Sequence, residues 1–145
     1  MKSMIVKDQI EINASKEKAW EILINPEFIR QWDELPENYS GGQLKLSSVI
    51  EWEGYSRLVV TEFVKANKLK LSMFLPRVTL DASRYDVSYQ YSLSGEGDST
   101  ILSFEIGDFS TLPNAQDYYD ASLTFVQTAK GKIKSLAEQS GKSRE

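Results

Sequence analysis

The chain has 145 residues, 41% of them hydrophobic and 26% charged, which fits one globular domain with a single core. A net charge of −4, from 17 basic and 21 acidic residues spread along the chain, argues against a nucleic-acid or anionic-membrane surface. The absence of Cys excludes disulfides and thiol nucleophiles, and the absence of His removes the commonest general base, Ser-His triads and most zinc sites.

The opening "MKSMIVKDQIEIN" has scattered charges and no apolar segment of the signal-peptide kind, and no run approaches the ~18 apolar residues of a membrane span. A cytoplasmic protein is the expectation. Residues 4–12 alternate as a strand, with Met4, Val6, Ile10 and Ile12 on one face and Asp8 among them. Ser15 is a helix N-cap, and Ala19, Trp20, Leu23 and Ile24 form an apolar stripe. Asn25-Pro26 ends that helix and starts another, in which Phe28 and Trp32 are four apart and share a side.

"GGQLKLSSVIEWEG" reads as a loop and then a strand with Ile50 and Trp52 on one face, followed by a turn at Gly54-Tyr55. "SRLVVTEFV" is the next strand, and Ala66-Asn67 the next turn. "KLKLSMFLP" places Leu69, Leu71, Met73 and Leu75 on one face up to Pro76. A looser stretch runs from Arg77 to Ser83. "RYDVSYQYSL" aligns Tyr85, Val87, Tyr89, Tyr91 and Leu93, "SGEGD" turns the chain, and "TILSFEIG" aligns Leu102, Phe104 and Ile106. From Pro113 to Gln139 one long helical face carries Tyr118, Ser122, Phe125, Ala129, Ile133 and Leu136. The expected order is strand, two short helices, five or six antiparallel strands and one long helix packed on the sheet. That is an α+β class, in one domain over residues 1–139 with a frayed tail at 140–145.

Several segments carry a family resemblance. "EINASKEKAWEILINPEFIRQWD", "GGQL", "VIEWEG", "VTEFVKANKLKLSMF" and "STILSFEIGDF", in that order, resemble the helix-grip superfamily of START-like or Bet v 1-like (SRPBCC) proteins. Within it they look most like the branch of homologues of the activator of the 90-kDa heat-shock protein ATPase. The resemblance implies a curved sheet that grips the last helix and encloses a hydrophobic cavity. Members bind lipids, hormones or polyketides, a few catalyse aromatisation or cyclisation, and the chaperone-binding relatives use a surface. The branch often has a tryptophan early in the last helix, where this chain offers Tyr118 and Tyr119.

Trp20, Trp32 and Trp52 read first as core aromatics, with Trp32 and Trp52 as a cavity wall or mouth. The phenols of Tyr85, Tyr89 and Tyr91 either line a pocket that satisfies them or sit on an exposed edge. Asp8 and Glu62 are the acids expected on inward faces, as polar anchors. Met73, Phe104, Tyr118, Ser122 and Phe125 complete the expected ligand-binding set. Arg57, Arg77 and Arg84 are surface arginines or anchors for an anionic head group. No GxSxG, GxGxxG or P-loop is present, no acidic spacing forms a metal cage, and no catalytic residue or cofactor is assigned. The leading expectation is a non-catalytic protein that binds a small hydrophobic or amphipathic molecule. The alternatives are a chaperone co-factor-like interaction module and a polyketide cyclase- or dehydratase-like enzyme.

Overall fold

Capping chemistry shapes the first helical segment. Strand β1 (Val6–Ile12) is followed by Ser15, whose hydroxyl accepts from the Lys18 N–H at 3.1 Å and opens helix α1 (Lys16–Ile24). Asn25 then serves two helices. Its N–H donates to the Glu21 carbonyl and closes α1, and its side-chain oxygen accepts from Glu27 N–H to open α2 (Pro26–Trp32). Pro26 has no N–H to leave unpaired at the first helical turn. In α2 the buried pair is Ile29 and Trp32, with Phe28 only half-buried, so the apolar face is one residue round from the expected Phe28–Trp32 pair.

The computed structural model describes residues 4–33, 35–37, 39, 42–52, 56–75 and 87–142. After the helices come β2 (Val49–Trp52), β3 (Ser56–Val64), β4 (Lys68–Phe74), β5 (Ser88–Glu96), β6 (Ser99–Gly107) and α3 (Ala115–Lys142). The strands form one six-stranded sheet in the order β1-β6-β5-β4-β3-β2, antiparallel throughout. The sheet is curved, and its order and connections are those of the α+β helix-grip expected from the sequence. Among the described residues no helix is long and apolar enough to cross a membrane.

Register aligns the inner face in rows. Asp8, Phe104, Tyr91, Leu69 and Phe63 lie side by side across five strands, and Val6, Ile106, Tyr89, Leu71 and Val60 form the neighbouring row. Alternation keeps these side chains on one face because strand side chains have a period of two. Strand β3 breaks that period. A register shift between Val60 and Glu62 turns Phe63 inward after Leu58 and Val60. Glu62 is thereby moved to the outer face, opposite Lys70 and 3.4 Å from the Lys68 ammonium. The expected inward Glu62 is corrected by that bulge.

The β5–β6 hairpin is also tighter than "SGEGD" suggests. Both strands run to a two-residue turn at Gly97-Asp98, and Gly95 stays in the ladder at φ +120°. A Cβ there would come 2.3 Å from the Ser99 carbonyl oxygen, which is why glycine occupies it.

Helix α3 closes the inner face. Val126, Ala129 and Ile133 are completely buried, with Ala137 beside them. Its cations reach β1: the Lys130 ammonium lies 2.7 Å from the Asp8 carboxylate, and Lys134 donates to the Glu11 carbonyl at 2.9 Å. Asp8 therefore faces the helix as its alternation predicts. Lys130 holds its carboxyl below the ordinary range, against the opposing effect of burial.

Candidate functional site

Between the sheet, α2 and α3 lies a cavity of about 500 Å³. Each wall follows from the local folding rules above. Strands β3 and β4 supply Leu58, Leu69, Leu71 and Met73 from their inward alternation, and β2 supplies Ile50 and Trp52. Leu44 is fixed at the edge by its N–H, which donates to the Ile24 carbonyl at 2.9 Å.

Trp32 is the anchored wall. Its indole N–H donates to the Ile22 carbonyl at 2.9 Å, across the bend between α1 and α2. Its ring meets Tyr91 edge-on at 6.0 Å between centroids and lies 6.3 Å from Phe125 of α3. Tyr89 in turn meets Phe125 edge-on at 6.0 Å. These edge-to-face contacts hold the rings in fixed orientations around the space. Trp20 belongs elsewhere, packed edge-on against Phe63 at 5.2 Å and outside the lining.

Polar side chains enter the lining from several elements, Ser56 of β3 and Tyr118 of α3 among them. Tyr89 and Tyr91 of β5, Ser122 of α3 and Asp33 at the end of α2 all line the cavity. Burial, reinforced by the negative charge of Asp33, pushes the Tyr89 phenol up to about 12 against the opposing effect of the Ser122 hydroxyl. The same two causes, with Tyr89 itself, raise Tyr91 well above the ordinary phenol value. Both hydroxyls therefore stay protonated at neutral pH, as neutral donors and acceptors in a mostly apolar space.

Of the residues expected at a site, the structure brings Trp32, Trp52, Met73, Tyr89, Tyr91, Tyr118, Ser122 and Phe125 to this cavity. Tyr85 lies outside the described residues, as do Arg77 and Arg84. Phe104 does not line the space. It is 2% exposed and stands behind Tyr91, with ring centroids 5.6 Å apart, so it supports the wall rather than forming it. Neither Asp8 nor Glu62 reaches the cavity: the first is held by Lys130, the second faces outward. Tyr118 is the inward member of the Tyr118–Tyr119 pair, stacked on Phe109 at 6.1 Å with nearly parallel planes.

Sequence reasoning missed Asp33 and Phe109. Phe109 follows the last strand, where no periodicity applies. Asp33 is the first residue beyond α2, and the only hint was its place directly after an inward Trp32. Arg57, read as a surface residue or an anion anchor, is exposed and lies over the Phe74 ring at 5.3 Å. It sits next to inward Leu58 and so on the opposite face of β3. Among the described residues no group of three or more His, Cys, Asp or Glu is placed to hold a metal ion.

No protein-family model and no curated protein matches the chain. Solved structures do. Protein MLL2253 from Mesorhizobium loti superposes with a TM-score of 0.72 at 17% identity, covering 93% of this chain and 97% of that one. CalU16 from Micromonospora echinospora gives 0.64 at 16% identity, covering 96% and 84%. The Aha1 dimer from Colwellia psychrerythraea gives 0.64 at 16% identity, covering 90% and 96%. Identities this low speak for the fold alone. The chain has the START-like, Bet v 1-like helix-grip fold.

Proposed function

We propose that this protein binds a small hydrophobic or amphipathic molecule between the curved sheet and α3. The observation that carries the reading is the cavity itself: about 500 Å³ that the surrounding side chains leave unfilled. Protein interiors normally close to crystal-like density, so a space of this size forfeits packing and hydrophobic stabilisation unless something occupies it. Its volume is in the range of small-molecule sites, and its walls are aliphatic and aromatic with a few convergent polar groups. The helix pair α1–α2 acts as a fixed plug, because the Trp32 indole is tied to the Ile22 carbonyl. The cyclase-like alternative asks for inward acids and tyrosines around a pocket; Tyr89 and Tyr91 line the cavity, but Asp8, paired with Lys130, and Glu62, on the outer face, do not.

Titration with the neutral fluorophore N-phenyl-1-naphthylamine tests the reading. Saturable binding near one probe per chain is expected, and Trp32→Ala, verified as folded by circular dichroism, should weaken it at least about tenfold, equivalent to ~1.4 kcal/mol. A folded wild-type protein without saturable binding would defeat it.

A further inference from the structure

We propose that the bound molecule enters and leaves beside helix α3 at Ala121, and that the small side chain there keeps the mouth of the cavity open; this rests on the ligand-binding reading above. Ala121 lines the cavity and yet is exposed to solvent. Among the described residues of the lining, all the others are buried or half-buried. A side chain that borders the interior space and bulk water at once stands on the rim.

Helix geometry places the opening. Successive residues step round an α-helix by about 100°, so Tyr118, Ser122 and Phe125 share one face and Ala121 stands on its flank. Ser122 is buried, and Phe125 approaches the anchored Trp32 of α2 to 6.3 Å between ring centroids. One turn N-terminal to Phe125, the flank of α3 is open to water at Ala121. The α1–α2 plug, by contrast, is pinned: the Trp32 indole N–H donates to the Ile22 carbonyl, and the Leu44 N–H to the Ile24 carbonyl. A ligand passing through that plug would have to break those bonds. At Ala121 the rim carries a single methyl group, and a larger side chain would stand across the passage.

Binding kinetics test this on the full chain. The protein has no cysteine, so one thiol can be introduced and modified after folding. Ala121→Cys is treated with benzyl methanethiosulfonate, which attaches a benzyl group through a disulfide that dithiothreitol removes. The control is Thr124→Cys, treated alike, because Thr124 is exposed on the same helix and does not line the cavity. Association and dissociation of N-phenyl-1-naphthylamine are followed by stopped flow. At position 121 the benzyl group should slow both rates by at least about tenfold relative to the unmodified variant, leave Kd within about threefold, and lose its effect on reduction. An obstructed passage raises the barrier in both directions, whereas a group that fills or distorts the cavity weakens the complex. At position 124 both rates should stay within about twofold. Unchanged rates after complete modification at 121 overturn the inference, as does slower association without slower dissociation, or equal slowing at 124. A thiol at 121 that the reagent fails to reach in the folded protein overturns it too. A wild-type protein that never binds the probe saturably fails the ligand-binding reading itself, whereas saturable binding indifferent to the group at 121 fails only this inference.

Discussion

Tyr89 and Tyr91 show what burial does to a phenol. Both phenols are raised above their ordinary value, Tyr89 to about 12. A raised folded-state value means the neutral form is favoured by folding. The stability it brings is fully present below the unfolded value of about 10 and is lost as pH rises through the folded value. In an alkaline absorbance titration, Tyr89→Phe and Tyr91→Phe should each remove one late-ionising phenol. Asp8 has the opposite sign. Lys130 lowers its folded value, so its contribution is present above about pH 4 and is lost as pH falls through that lower value. Asp8→Asn should therefore flatten the acid limb of stability measured by urea unfolding over a pH series. The inward direction of Asp8 and the shared face of Tyr89 and Tyr91 were legible because alternation in β1 and β5 is unbroken, but alternation alone left open whether that tyrosine face lined a pocket or an exposed edge. Glu62 was misplaced because one extra residue reversed the parity of β3. Asp33 was not legible because periodicity says nothing about a side chain past a helix end.

The two helical segments differ in what stabilises them. Asn25 caps both α1 and α2, so Asn25→Ala should cost about 1–2 kcal/mol in denaturant unfolding, with helical signal lost locally. Helix α3 carries Gly131 at an exposed position where an added Cβ would touch nothing within 4 Å. Gly131→Ala should raise stability by about 1 kcal/mol and the thermal midpoint by roughly 3 °C. A fall in midpoint would mean that the glycine has a role in packing or binding. The long helix was readable from its repeat of apolar residues, yet two of its most buried positions, Val126 and Ala137, fell outside the expected face. A helix covering a curved sheet buries a wider stripe than a single 3-4 row. In α2 the seven residues were too few for spacing to separate Phe28 from Ile29.

At the scale of the whole molecule, the order of elements was legible because each strand carried its own alternation and each break its own turn or capping residue. The size and contents of the cavity were not, because empty volume depends on how distant side chains meet. No local pattern states that Trp32, Tyr89 and Phe125 stand around a space rather than fill it. The aromatic contacts explain why it stays open: rings tied to one another and to the Ile22 carbonyl cannot collapse inward without breaking those contacts. The most direct measurement is an isotope-filtered nuclear Overhauser experiment on the protein with bound 1-decanol. Cross-peaks from the alkyl chain to the rings of Trp32, Tyr89 and Phe125 are expected. Cross-peaks confined to the exposed Leu46, Val49 and Val64, or none at saturating decanol, would contradict a ligand seated between the sheet and α3.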